Sequence, residues 1–224
     1  MFLADFRIYR DKMFYNLNLL REIFYPRQCA VCGKVIDTGC FCVSCRKSFL
    51  LQKVIRAAEP LQEVFMLYKY EQQLKEALHK VKFDGERSLL PFLQEEVRQA
   101  LPAGVEYFFA DYDLIAGIPT SPERRQRRGF DVPERIFSFS GIKYQQILIR
   151  VRNTLPLYEL EPALRREELQ GCFKVCCSVA GKKILLCDDI YTTGSTMREA
   201  TAALYAAGAA SVSALAFTAS KDNW

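Results

Sequence analysis

The stretch ILLCDDIYTTGST, Ile184 to Thr196, sets an apolar run against two acids and then a group of small hydroxylated residues around one glycine. Ile184 to Cys187 reads as a buried central strand, because a short apolar run closed by turn residues suits a strand covered on both faces. Beyond it Met197, Ala200, Leu204 and Ala207 recur at helical spacing, with Gly208 as a stop signal. Asp188 to Thr196 is therefore read as a loop from the carboxyl end of a strand to the amino end of a helix. Ligands of open α/β sheets bind at such crossings.

The residue types in this loop narrow the ligand. Thr192, Thr193, Gly194, Ser195 and Thr196 supply hydroxyls, and Gly194 lets successive backbone N–H groups converge. Together with the helix dipole they suit a phosphate. Asp188 and Asp189 would repel that anion, so they are expected to face hydrogen-bond donors, and a vicinal diol answers. Phosphate and diol side by side describe ribose 5-phosphate. A Walker B strand is the competing reading, but the chain has no G-x-x-x-x-G-K-[ST]. A dinucleotide turn would want several glycines, and an ordinary capped helix leaves the paired acids unexplained.

Outward from this stretch, strands and helices alternate. Glu63 to Tyr70 suits a strand, followed by a helix holding His79 and another from about Ser88 to Ala100. Asp113 to Pro119 is a short buried strand. A loop carrying Arg124, Arg125, Arg127 and Arg128 comes next, then a helix from near Pro133 and a strand over Gln146 to Arg152. Residues 153–171 are charged and proline-broken, the character of a long mobile loop able to cover a site. Lys183 onward reads strand, helix, strand. The fold class is α/β: a mainly parallel sheet with helices on both faces, over residues 56–224.

Residues 1–55 form a separate region. Phe2, Phe6, Phe14, Phe24 and Tyr25 with interspersed leucines suggest an amphipathic helix ending near Pro26. Then Cys29-x2-Cys32 and Cys42-x2-Cys45 each close a turn that aims two thiolates at one ion, the pattern of a structural zinc knuckle. Cys40 is an alternative to Cys42, although Cys42-x2-Cys45 repeats the first spacing. A redox-active Cys-x2-Cys fits less well outside a strand-to-helix context.

Composition excludes several classes. The lone histidine, His79, on a helix with one apolar stripe, argues against Ser-His-Asp, Cys-His and His-rich metal chemistry. A formal charge of +5, much of it in the arginine cluster, points to a local anion site. Arg7, Arg10, Asp11 and Lys12 break any early apolar run, so neither membrane insertion nor a signal peptide is expected, and the protein is placed in the cytoplasm with reduced cysteines.

The thirteen residues resemble the phosphoribosyl-diphosphate (PRPP) motif of type I phosphoribosyltransferases. With CAVCG, CFCVSC, KFDGE, IPTSPERRQRRGFD and GKKILLCDDIYTTGSTMREA, the chain is similar almost end to end to the ComF family of competence-associated, phosphoribosyltransferase-like proteins. The resemblance implies that Asp188 and Asp189 hold ribose hydroxyls and Thr192 to Thr196 cradle the 5-phosphate. It also implies that the loop after DLIAGIP lies near pyrophosphate, accompanied by magnesium.

The arginine cluster would offset that anion, with Arg128 the leading catalytic candidate beside the two aspartates, and Arg124 a further ligand contact. Lys82 is another candidate, against the ordinary reading of a surface lysine. The family's Arg-Gly-Phe-Asn here ends in Asp131, and Glu168 aligns with a family asparagine. Two functions follow. One is a phosphoribosyltransferase with an unknown acceptor; the other is a non-catalytic module in DNA uptake that meets single-stranded DNA or uptake proteins, with PRPP at most a regulatory ligand.

Overall fold

Backbone pairing, more than side-chain polarity, decides where the strands of this chain end. The structure, a computed structural model, describes residues 26–37, 39–56, 59–101, 103–139, 141–151 and 168–223. The expected amino-terminal helix before Pro26 and residues 153–167 of the expected covering loop lie outside them. The described chain divides into two compact units between Ser48 and Phe49. In the first, an isolated bridge joins Gln28 to Val35, and the helix α1 (Val43–Phe49) begins directly after Cys42.

The second unit opens with strands β1 (Leu50–Arg56) and β2 (Glu63–Lys69). Helix α2 (Gln72–His79) follows, running on into a π-helical turn, Lys80–Asp84. Next come α3 (Leu90–Ala100), α4 (Val105–Ala110), β3 (Leu114–Gly117), α5 (Pro122–Arg128) and α6 (Val132–Phe137). Short strands β4 (Leu148–Arg150) and β5 (Phe173–Val175) precede β6 (Lys183–Tyr191), α7 (Ser195–Ala206) and β7 (Ser211–Ala219).

The main sheet has the order β1-β2-β7-β6-β3. Its last four strands are mutually parallel, and only the edge strand β1 runs antiparallel, to β2. One face carries Ala116, Ile184, Leu186, Val212, Ala214 and Ala216, which share a core with Met197, Ala200 and Leu204 of α7. Of the four residues read at helical spacing, Met197, Ala200 and Leu204 form the stripe that meets the sheet, while Ala207 is exposed just past the end of the helix. Ile184 and Leu204 are fully buried, each burial worth roughly 1.5–3 kcal/mol. Alternate residues turn to the opposite face, where α6 packs on β3 and β6. Helices therefore cover both faces, as an α/β sheet requires.

Three local expectations are corrected, and one strand is new. Asp188 and Asp189 are not in a loop: β6 continues to Tyr191 because Asp188, Ile190 and Tyr191 pair with Ala216, Thr218 and Ala219 of β7. The connecting bend shrinks to Thr192–Gly194. The arginine segment is helix α5 rather than loop. It buries none of its residues and lacks an apolar stripe, but Ser121 Oγ accepts from the Arg124 N–H at 3.4 Å and Pro122 opens the first turn. The strand predicted over Gln146–Arg152 does not join the main sheet; β4 pairs antiparallel with β5 in a two-stranded sheet of its own. Edge strand β1, which carries no clear alternation, was not anticipated.

Where α6 crosses β3 the sheet must be thin. A Cβ on Gly117 would lie 3.0 Å from Pro133 Cβ and would run into the Tyr144 hydroxyl. Gly117→Ala is expected to destabilise the protein by about 1–3 kcal/mol through overpacking, read as a lower urea midpoint with an unchanged slope.

Candidate functional site

At the carboxyl end of the parallel strands, Asp188 and Asp189 are consecutive strand residues and so turn to opposite faces. Asp189 is buried, and its Oδ1 accepts from Lys82 Nζ at 2.8 Å. Its carbonyl accepts from Thr218 Oγ1 at 2.8 Å, and its own N–H donates to Asp188 Oδ1 at 2.8 Å. The Asp188 carboxyl is pushed up to about 8, first by burial and then by the Asp189 carboxylate, with Lys82, that N–H bond and Arg150 acting against.

Both aspartates line a cleft of about 510 Å³, which Thr196 also borders. The π-helical turn sends Lys82 and Phe83 into it, β3 and its following residues bring Thr120 and Ser121, and α5 adds Arg124, Arg127 and Arg128. Arg150 reaches it from β4. Five cations face three acids, the third being Glu123. The cleft is therefore electropositive despite its paired aspartates, and it suits a polyanion that also carries hydroxyls. Burial lowers the Arg128 guanidinium, with Arg124 and Arg127 adding to the effect and Asp189 and Asp131 opposing it. Arg128 Nε donates to the Lys82 carbonyl at 3.0 Å, tying α5 to the π-helical turn.

Arg125 departs from the expected cluster. Helical spacing puts Arg124, Arg127 and Arg128 together and turns Arg125 aside, where it pairs with Asp131 and, at 3.9 Å, with Glu134. Asp131, the acid at the family's asparagine position, is buried, and its Oδ1 accepts from the Thr120 N–H at 2.8 Å. Its charge is spent on holding the loop after β3 to α5.

The threonine-rich bend is tightly organised. Gly194 has φ 72°, and a Cβ there would come 2.7 Å from Tyr191 Cζ, so only glycine fits. Thr193 Oγ1 and Ser195 Oγ bond each other at 2.8 Å, while Arg198 Nη2 and Asn223 Nδ2 hold the carbonyls of Thr193 and Thr192 at 2.6 and 2.7 Å. Thr192 is exposed, Thr193 half-buried and Ser195 buried. Of Thr192 to Thr196, Thr196, in the first turn of α7, is the residue that lines the cleft; the first-turn amides of that helix are the donors it offers an anion.

In the first unit the sulfurs of Cys29, Cys32, Cys42 and Cys45 lie within 4.8 Å of one another. The Cys32 and Cys42 sulfurs are 3.8 Å apart, about the edge of a tetrahedron with zinc–sulfur bonds of about 2.3 Å. Cys42 is thus in the cluster and Cys40 is not. Burial pushes the Cys29 thiol up, but backbone N–H groups of Cys42, Cys32 and Val31 bring it down to about 6. Burial and the crowding thiols push Cys45 up to about 12, a repulsion that a cation would relieve.

Lys82 and Arg150 are what sequence reasoning undervalued. Lys82 stood in the KFDGE stretch but looked like any surface lysine; Arg150 had no local signal, since β4 has to fold against β5 to aim it.

A family profile described as Phosphoribosyl transferase domain matches residues 173–223. The chain is 30% identical over 150 residues to Competence protein ComFC of Streptococcus pneumoniae, covering 65% of this chain and 63% of that protein. That match spans less than two thirds of the relative's own length. DNA utilization protein YhgH of Salmonella typhimurium is 26% identical over 200 residues, 82% of this chain and 86% of the relative. Competence protein ComFC of Bacillus subtilis is 26% identical over 192 residues, 83% and 75%. The ComF-family likeness carried by the motifs is shown, as is the phosphoribosyltransferase-like fold with an amino-terminal four-cysteine segment. No helix among the described residues is long and apolar enough to cross a membrane.

Two outcomes are expected from this geometry. Cys42→Ser abolishes retention of a bound metal ion, measured by metal analysis of the purified protein, whereas Cys40→Ser retains it. The native protein holds the Asp188 proton between about pH 3.8 and 8, where the unfolded chain has released it. Asp188 therefore makes stability fall as pH rises through that window. Asp188→Asn removes this part of the slope, seen by comparing unfolding midpoints of the two proteins across it.

Proposed function

We propose that the chain binds PRPP, or a ligand built on ribose 5-phosphate, in this cleft, as a phosphoribosyltransferase-like protein of the ComF type serving DNA uptake. One observation carries the reading: adjacent aspartates, a helix amino end and a set of arginines from separate elements border one cleft. In this reading Asp188 and Asp189 accept from the ribose hydroxyls, and the bend from Thr192 to Thr196 holds the 5-phosphate. Arg124 and Arg128 face the diphosphate.

Transfer would break the C1–O bond, its electron pair leaving with pyrophosphate, while an acceptor's lone pair forms the new bond at C1. The protein's share is to hold these groups in line, to place guanidinium charge where the leaving oxygen becomes negative and to keep water out. Magnesium, a hard cation, would supply further charge on the diphosphate oxygens, and Asp188 and Asp189 are the aspartates of the cleft suited to hold it. Cys29, Cys32, Cys42 and Cys45 would hold zinc as a structural cross-link of the short cysteine segment, which has little apolar mass of its own. The protein is read as cytoplasmic.

The names of the relatives, competence and DNA utilization proteins, favour a second reading. It is a non-catalytic module that meets single-stranded DNA or uptake proteins through the zinc segment and arginines. Binding of single-stranded DNA that weakens steeply with salt, without PRPP affinity, would support it.

Thermal unfolding with magnesium and PRPP separates the two. At a hundredfold excess over Kd the ligand should stabilise the protein by about 2.7 kcal/mol. The shift should vanish in the double variant Asp188→Asn with Asp189→Asn. A folded, metal-loaded wild-type protein that shows no shift ends the case for a sugar-phosphate site.

A further inference from the structure

Lys82 stands where the proposed ligand's ribose hydroxyls would have to bind. Its ammonium is 2.8 Å from Asp189 Oδ1, and the two side chains are 19% and 9% exposed. Asp189 therefore meets a diol only if Lys82 yields at least part of its carboxylate. The main chain at Lys82 is fastened: Arg128 Nε holds its carbonyl at 3.0 Å, and Arg87 Nη2 holds the Arg128 carbonyl at 2.9 Å. The four-carbon side chain beyond that anchor is free to re-aim without moving the backbone. The π-helical turn that presents it is a distortion characteristic of functional sites.

Resting on the reading of the cleft as a PRPP site, we infer that Lys82 is a partner-switching residue that selects for the diphosphate. In the empty cleft its ammonium holds Asp189. When ribose hydroxyls take over Asp189, Lys82 turns to the diphosphate oxygens.

The energetics favour this coupling. A lysine displaced from Asp189 would sit among Arg124, Arg127 and Arg128, all lining the same cleft, and like charges there repel. Ribose 5-phosphate displaces Lys82 without giving it a new anion next to the sugar. PRPP displaces it and supplies one. Diol and diphosphate thus bind cooperatively through Lys82, since each makes room or charge for the other. Once the diphosphate has left, the ammonium is again without an anion and returns to Asp189, competing with the hydroxyls of what remains. Selection against a sugar phosphate lacking the diphosphate, and release of such a product, come from the same residue.

Calorimetry with magnesium compares PRPP and ribose 5-phosphate on the wild-type protein, Lys82→Met and Lys82→Arg. In Lys82→Met the preference for PRPP over ribose 5-phosphate is expected to fall roughly ten- to hundredfold, with ribose 5-phosphate affinity unchanged or improved. Lys82→Arg should restore most of the preference. If both ligands weaken equally in Lys82→Met, or neither changes, the switch is overturned while the PRPP site stands. If the wild-type protein binds neither ligand, both readings fall. Should Lys82→Met lose the fold, Lys82→Gln, which keeps a donor toward Asp189 without the charge, carries the same comparison.

Discussion

Two neighbouring carboxylates at the carboxyl end of a buried strand cannot both remain charged without cations beside them. That constraint organises the larger unit. Asp189 takes Lys82 as its counter-ion, and Asp188, left with a carboxylate next door and little water, retains its proton to about 8. Lys82 in turn is held through its carbonyl by Arg128, whose guanidinium is itself steadied by the field of Asp189 and Asp131. A chain of compensating charges thus runs from β6 through the π-helical turn to α5. Its surplus is positive, and that surplus is what the cleft presents to a ligand.

The scaffold beneath makes the charges converge. Parallel strands β2, β7, β6 and β3 end at the same edge of the sheet, so residues distant in sequence meet there. Two glycines set the tolerances: Gly194 lets the bend pass against the Tyr191 ring, and Gly117 lets α6 approach β3. The smaller unit solves a different problem. Among its described residues, 26–37 and 39–48, few apolar side chains are buried, and four thiols gathered within 4.8 Å tie that segment together.

Much of this was legible. Buried strands β6 and β7 and helix α7 announce themselves because local pattern and tertiary environment agree: an apolar run, a helical stripe, a glycine stop. The cysteine pairs are legible for the same reason, since ligand spacing within each turn is a local matter. The arginine helix is not, because α5 buries no side chain and is determined by its caps. Nor is the extent of β6, which runs on through two aspartates to Tyr191 because backbone pairing to β7 continues past them. Asp131 is instructive in another way. It puts a charge where the family has an asparagine, yet that charge is turned inward and paired with Arg125.

The sequence alone determined the strand–helix–strand succession from Lys183 onward, the small hydroxylated residues of the threonine stretch and the pairing of cysteines, because each is written in residues a few positions apart. Tertiary structure alone decided that Lys82, 107 residues before Asp189, is its counter-ion, that Arg150 joins the cleft and that Arg125 leaves it. Those outcomes depend on which surfaces meet after strands pair and helices cross, and desolvation and charge compensation act across such distances only once the chain has folded.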